Sequence, residues 1–338
     1  MSDLLVDDRF NNGGIQRFYR ELVARIDSRL SISKVSEVYG GFALGDPLSP
    51  IRLSSAIRRQ RPAVFWSPGF MPPYRSPVPF LFTIHDLMHA RSVRGIRSIY
   101  FNTILRHLSQ SAYKVITVSD FARNEICEWA ELPLDRVVTI YNGVSNCFTP
   151  EGARHSSDRP YLLFVGAHRT NKNLPGMLLA FARSGLAGKC KFLLTGSPNS
   201  ELRNLIQQLG IEKSLEFLGF VGDDQLPAYY RGALGLVLLS TEEGFGIPPL
   251  EAMACGTPVL CSNTTSLPEV VGEAALQTAP DQIDGMAEAM ARIVHDSALR
   301  EELVLRGLQR CTQFRWERSA EKLCGLFMEA IASGPTVR

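Results

Sequence analysis

Short apolar runs that close on polar or glycine-rich turns recur along the chain, and apolar residues at helical spacing follow many of them. Leu4-Leu-Val6 is the first run. It leads into Asp7-Asp-Arg-Phe-Asn-Asn-Gly-Gly14, after which Ile15, Phe18, Tyr19, Leu22, Val23 and Ile26 mark one face of an amphipathic helix. Val64-Phe-Trp66, Phe80–Ile84, Lys114–Val118 and Val137–Ile140 read as further buried strands. The run ending at Ile84 delivers His85 and Asp86 at its carboxyl end, and Ser119-Asp-Phe-Ala after Val118 reads as a capped helix start.

The alternation is cleaner in the second half. Tyr161–Val165 precedes a helix with Leu174, Met177, Leu178 and Phe181 on one face. Lys191–Thr195 precedes a helix carrying Leu202, Leu205, Ile206 and Leu209, with Gly210 placed to end it. Leu234–Leu239 and Pro258–Cys261 are the last runs of this kind, and Trp316, Ala320, Leu323, Phe327 and Ile331 form a final helical stripe. Apolar strands alternating with helices imply parallel sheets covered on both faces. The expected class is α/β, with two doubly wound parallel-sheet (Rossmann-like) domains whose ligands bind at the carboxyl ends of strands.

At 338 residues the chain is long enough for two domains of about 150 residues each. Thr149-Pro-Glu-Gly-Ala-Arg-His-Ser-Ser-Asp-Arg-Pro160 has almost no apolar residue and reads as the linker. The expected domains are 1–152 and 160–315, with 316–338 as a terminal helix that packs on its own domain or crosses back to the first.

Composition narrows the function classes. Hydrophobic residues make up 45% and charged residues 21%, as in an ordinary globular protein. The acidic start, Met1-Ser-Asp-Leu-Leu-Val-Asp-Asp8, lacks the basic flank of a secretory signal, and no apolar run reaches the length of a membrane-spanning helix. The 7 cysteines show neither a paired nor a zinc-like spacing, which points to a reducing compartment, the cytoplasm. Net charge is +2, but basic groups gather at Arg58-Arg59-Gln-Arg61 and at Arg91, Arg94 and Arg97. Such groups read as a solvated helix surface or as attraction to an anionic membrane or a phosphorylated substrate. Interleaved aromatics are too few for nucleic acid, which is not expected as a partner.

The candidate chemistry centres on Ser240-Thr-Glu-Glu-Gly-Phe-Gly-Ile-Pro-Pro-Leu-Glu251, which leaves a buried strand at its carboxyl end. Pro248 and Pro249 suit a first helical turn, where a missing N–H costs nothing. That places Glu243 in the loop and Glu251 in the first turn of a short helix stopped by Gly256. Carboxylates accept the paired hydroxyls of a sugar or ribose, and Gly244 and Gly246 let the backbone approach a ligand and offer N–H donors. Taken singly, Glu251 is also explained by its helix dipole and the glycines by turning.

The string Glu243-Gly-Phe-Gly-Ile-Pro-Pro-Leu-Glu251-Ala-Met-Ala-Cys-Gly-Thr-Pro258 resembles the E-x7-E signature of the retaining GT-B glycosyltransferases of family 4, which include bacterial mannosyltransferases. Further landmarks run along most of the chain: Gly13-Gly-Ile-Gln-Arg-Phe18, Thr83-Ile-His-Asp86, Val118-Ser-Asp-Phe-Ala122, Ile140-Tyr-Asn-Gly-Val144, Val165-Gly166 with Lys172-Asn173-Leu174, and Leu267-Pro-Glu-Val270. The resemblance implies a GT-B fold with two domains facing a central cleft. It implies that Glu251 holds the nucleotide ribose, and that Glu243 with the backbone of Gly244, Phe245 and Gly246 holds the donor sugar. Lys172, with Arg169, would neutralise the diphosphate leaving group, His85 would lie beside the reacting carbon, and Gly14 would touch the diphosphate. Many relatives place an arginine after the glycine matching Gly166; here Ala167 stands there and His168-Arg169 follow.

The implied donor is a nucleotide sugar, with mannose from GDP-mannose preferred and glucose or N-acetylglucosamine from a UDP-sugar as alternatives. The implied acceptor is a glycan or lipid-linked saccharide of polysaccharide or lipopolysaccharide biosynthesis. The chain is expected to work in the cytoplasm, with peripheral membrane contact through its first domain. No D-x-D stretch is present for a metal-bridged diphosphate, so no metal and no other cofactor is expected. Competing readings are a sugar-nucleotide epimerase of similar architecture and a non-catalytic sugar-nucleotide-binding subunit. The presence of Glu243, Glu251, Lys172 and His85 together weighs against the latter.

Overall fold

The computed structural model describes residues 3–10, 13–26, 30–39, 46, 48–92 and 96–334. The chain divides into two compact units, one formed by residues 1–143 and 316–338, the other by 144–315. Each is built on one six-stranded sheet in which every pairing of named strands is parallel.

The first sheet contains β1 (Leu4–Val6), β2 (Ile32–Lys34), β3 (Val64–Ser67), β4 (Phe80–Thr83), β5 (Lys114–Thr117) and β6 (Val137–Thr139), in the spatial order β2-β1-β3-β4-β5-β6. All residues of β1, β3 and β4 are buried, which is why those strands read as unbroken apolar runs rather than as alternating ones. The order reverses between β1 and β3. There the carboxyl ends diverge into a crevice.

The helix Gly13–Val23 follows β1. The terminal helix Trp316–Ser333 belongs to this first unit, where it packs on the helix Gly13–Val23 and on β3. Its anchor is aromatic: the Trp316 ring lies 6.3 Å from Phe18, and Phe327 lies 5.7 Å from Trp66. All four side chains are fully buried, so this helix completes the core of the first sheet.

The second sheet contains β7 (Tyr161–Phe164), β8 (Lys191–Leu194), β9 (Leu215–Phe217), β10 (Gly235–Leu238), β11 (Val259–Ser262) and β12 (Leu276–Thr278), in the order β12-β11-β10-β7-β8-β9. Its order reverses between β7 and β10. Several local signals act as their chemistry dictates: Ser119 caps the helix Asp120–Ala130 by accepting the Ala122 N–H at 3.1 Å, and Gly210 ends the helix Ser200–Leu209 with φ of 63°.

The expected linker lies within the second unit. Residues 144–315 form the second unit, and the polar stretch from Thr149 is held there by hydrogen bonds and a ring stack. Arg231 donates to the carbonyls of Thr149 (3.1 Å) and Ala153 (2.8 Å), and the His155 ring stacks on Tyr229 at 4.2 Å. Hydrophobic patterning is blind to such anchoring.

Candidate functional site

The two loops at the reversal point of the second sheet carry the candidate residues. After β7 the chain passes Gly166 and forms the single 3-10 turn Thr170–Lys172, and Asn173 then takes a left-handed conformation (φ 53°) before the helix Leu174–Arg183. After β10 the chain runs through Ser240 to Gly246 into the helix Ile247–Ala254. Because β7 and β10 are sheet neighbours, these loops lie side by side, and polar contacts join them. Thr241 N–H donates to Asn171 O at 2.8 Å, and Asn171 Nδ2 donates to Glu242 O at 2.9 Å. Asn173 Nδ2 reaches both Leu239 O (3.1 Å) and Pro280 O (2.8 Å).

Within this frame Lys172 Nζ donates to Glu243 Oε1 at 2.6 Å. The same carboxylate oxygen accepts the Ser240 hydroxyl at 2.7 Å. The Glu243 main chain is held too: its N–H donates to Thr265 Oγ1 at 3.2 Å, and its carbonyl accepts the Ser266 hydroxyl at 2.9 Å. The Lys172 and Glu243 side chains are 15% and 9% exposed, so the pair is largely withdrawn from water, where a charge-assisted bond is stronger. A fixed ammonium beside a fixed carboxylate can meet an anionic leaving group and a polyhydroxylated group at the same place.

Gly246 makes the entry to the helix possible. Its φ is 92°, in the left-handed region, and an added Cβ would stand 2.5 Å from Leu267 Cδ2. Phe245 is 4% exposed, with its ring packed edge-on against Phe314 at 5.8 Å, so its side chain anchors the loop. Gly244 stands between the anchored Phe245 and Glu243. Glu251 falls in the second turn of the helix rather than the first, because the helix begins at Ile247, before the proline pair. Its carboxylate is buried and accepts the hydroxyl of the fully buried Tyr230 at 2.8 Å. Tyr230 is itself fixed, with its carbonyl accepting Thr257 Oγ1 at 2.7 Å and its ring edge-on to Phe148.

Of the two residues after Ala167, only Arg169 is exposed. His168 donates from Nε2 to Thr195 O at 2.7 Å, and its ring stands near Phe164 and Phe217. It is committed to structure.

His85 and Gly14 belong to the first unit. His85 Nε2 lies 2.9 Å from Pro68 O; a carbonyl only accepts, so Nε2 carries the proton and Nδ1 is the acceptor nitrogen. The ring is edge-on to Phe18 at 5.0 Å, and burial pushes the imidazole down to about 4, outweighing the opposing Pro68 contact. His85 is therefore neutral over the physiological range. Gly14, in the first turn of its helix, is exposed, and a Cβ there would meet nothing within 4 Å, so local packing does not call for glycine.

Sequence reasoning missed Tyr230, Ser240, Asn171 and the Thr265-Ser266 pair. It also missed Asp7 and Arg9, which form a buried bidentate pair (2.6 and 2.7 Å) at the end of β1. The acid-acid-arginine run directly after a buried strand was the available signal. In the basic group, Arg91 pairs with Glu125, and Arg94 lies outside the described residues. Among the described residues no helix is long and apolar enough to cross a membrane.

Residues 13–146 match the family described as Glycosyltransferase Family 4, and residues 148–310 match Glycosyl transferases group 1. O-antigen chain mannosyltransferase B of Escherichia coli is 32% identical over 291 residues, covering 80% of this chain and 75% of that protein. Serotype-specific mannosyltransferase WbdA of the same species is 28% identical over 260 residues, 72% of this chain but 32% of that longer protein. Among solved structures, sucrose-phosphate synthase from Thermosynechococcus elongatus has a TM-score of 0.77 at 20% identity, over 98% of this chain and 99% of that one. Anabaena HepE, solved in complex with UDP-glucose, has a TM-score of 0.75 at 16% identity, over 98% and 99%. These structures share the GT-B fold, so two doubly wound units define this protein as a member of the GT-B class. The matches in sequence go further than fold, and the chain belongs to glycosyltransferase family 4.

Proposed function

We propose that the protein transfers mannose from GDP-mannose, with retention of anomeric configuration, to a glycan or lipid-linked saccharide acceptor in polysaccharide biosynthesis. The observation that carries this reading is the Lys172–Glu243 contact of 2.6 Å at the reversal point of the second sheet, the place where a doubly wound sheet binds its ligand. The choice of mannose is supported by the relatives, several of which are named mannosyltransferases.

In this reading Lys172 meets the diphosphate, with the exposed Arg169 as the second cation in place of an arginine at Ala167. Glu243 and the backbone of Gly244, Phe245 and Gly246 take the hydroxyls of the sugar. Glu251 takes the ribose, whose paired hydroxyls a carboxylate can accept. His85 and Gly14 keep the roles that family membership implies. The bond from the anomeric carbon to the diphosphate oxygen breaks on the same face at which the acceptor oxygen bonds. The acceptor's proton passes to the departing diphosphate, whose growing charge Lys172 stabilises. Charge neutralisation by Lys172 and Arg169 makes a divalent ion unnecessary in this scheme. The proposed place of action is the cytoplasm or the cytoplasmic face of a membrane, with the first unit toward the lipid.

Nucleotide release from GDP-mannose, UDP-glucose and UDP-N-acetylglucosamine in the absence of acceptor tests the proposal. Slow hydrolysis of GDP-mannose is expected. Hydrolysis of a UDP-sugar instead would reassign the donor, an isomerised sugar would indicate an epimerase, and neither binding nor turnover with any of them would sink the enzymatic reading.

A further inference from the structure

We infer that Phe70, Tyr100 and Phe101 of the first unit form an aromatic subsite that receives a sugar ring of the glycan acceptor. This rests on the glycosyltransferase reading above and adds the residues that recognise the acceptor.

Phe70 lies in the loop that follows β3, and Tyr100 and Phe101 begin the π-helical turn Tyr100–Leu105 on the path from β4 to β5. Both positions stand toward the carboxyl end of the first sheet, where ligands bind. The Phe70 and Phe101 rings are 5.3 Å apart and tilted by 49°, and Tyr100 meets Phe101 edge-on at 5.5 Å. Tyr100 joins the two segments by donating its hydroxyl to Phe70 O at 3.3 Å. All three rings are half-buried, whereas Phe65 and Phe82 in the strands beneath are sealed.

Three features set this cluster apart from ordinary core. The first is the π-helical turn, a rare conformation frequent at functional sites, which brings the adjacent residues Tyr100 and Phe101 into one cluster. It is held by Asn102, which donates to Ala90 O at 3.2 Å and accepts from Trp129 Nε1 at 3.3 Å. The second is the support beneath Phe70. The Phe10 ring packs edge-on to it at 5.9 Å and fills the space beside Gly69, where an added Cβ would stand 2.3 Å from Phe10 Cε1. The third is continuity with His85. The carbonyl of Pro68, two residues before Phe70, is the one that fixes the His85 tautomer at 2.9 Å. One short loop thus presents an aromatic ring and orients the imidazole.

A sugar ring suits this surface chemically. Its C–H face is weakly positive and meets the negative face of an aromatic ring, while its hydroxyls need polar partners at the edge. Half-buried rings with a few placed polar groups are the usual lining of such sites. The neutral His85 provides a polar group of that kind.

Saturation-transfer NMR with α-1,3-mannotriose, on the full chain with GDP present, tests the assignment. Phe70→Leu and Phe101→Leu keep apolar volume and remove the ring, and Tyr100→Phe keeps the ring. Wild type and Tyr100→Phe are expected to transfer saturation to the C–H protons of the trisaccharide. Phe70→Leu and Phe101→Leu are expected to bind it at least about fivefold more weakly. Acceptor-free donor hydrolysis and Tm should stay near wild type in both leucine variants. Undiminished transfer in folded leucine variants, or no transfer with the wild type, overturns the subsite. Loss of donor hydrolysis in the wild type itself would instead overturn the reading on which the subsite rests.

Discussion

Lys172 and Glu243 lie 71 positions apart in sequence and 2.6 Å apart in space, with the Ser240 hydroxyl as a second donor to the same carboxylate oxygen. Neither loop could hold this geometry alone. The exchange between Asn171 and the segment Thr241-Glu242 ties the two loops together.

Lys172→Ala should lower kcat/KM for the donor by about 100- to 1000-fold, the range seen when one charge-stabilising group is removed. Nucleotide release measured against donor concentration checks this. Activity equal to wild type would take Lys172 out of the phosphate role.

Tyr230→Phe deletes the hydroxyl that Glu251 Oε2 accepts at 2.8 Å and keeps the buried ring. Leaving a buried carboxylate short of a donor costs about 1–3 kcal/mol. The expected result is a raised donor KM with kcat changed little, because ribose binding does not alter during the chemical step. An equal fall in kcat with KM constant would argue that Tyr230 does not act through Glu251.

His85 gives a pH dependence of known sign. Burial lowers its folded pKa to about 4, against an ordinary value of 6.5. Between those values the unfolded chain binds the extra proton, so this contribution to stability is complete above about pH 6.5 and is lost as pH falls toward 4. Denaturant midpoints at pH 7 and pH 4.5 should differ less for His85→Gln than for wild type. The same low pKa means that activity between pH 6 and 8 should show no step from this imidazole.

Gly246→Ala should destabilise the second unit. The left-handed φ of 92° costs a side chain about 1–3 kcal/mol, and the contact with Leu267 adds to it. Tm and donor KM should both worsen, since the displaced loop carries Glu243. A variant with wild-type Tm would show that the loop absorbs the change.

Donor turnover should survive dialysis against EDTA without recovery on adding Mg²⁺ or Mn²⁺, if Lys172 and Arg169 neutralise the diphosphate unaided. A rate that falls and returns with metal would refute metal-independent transfer.

Burial explains which parts of the fold were legible in sequence: even the edge strand Val137–Thr139, largely buried, was read. The central strands, such as Leu4–Val6 and Tyr161–Phe164, are buried throughout and stand out as apolar runs. The strands that patterning passed over are Ile32–Lys34, Leu215–Phe217 and Leu276–Thr278, all of them sheet edges with half-buried residues. An edge strand has a neighbour on one side only, so a short half-exposed segment suffices and leaves little hydrophobic signal.

The candidate site divides in a similar way. Glu243 and Glu251 stood out because their residue types and flanking glycines and prolines are local properties, whereas Lys172 entered through the family resemblance. Their partners did not, because Ser240, Tyr230 and Thr265 are ordinary residues until folding brings them into hydrogen-bond range. Sequence alone determined two doubly wound halves, the helix starts at Ser119 and the end at Gly210, and the family to which the motifs belong. Only the tertiary structure decided that β7 and β10 are neighbours, although β8 and β9 intervene along the chain. Periodicity records which face of an element is buried, not which element covers it, and the pairing of Lys172 with Glu243 depends on the latter.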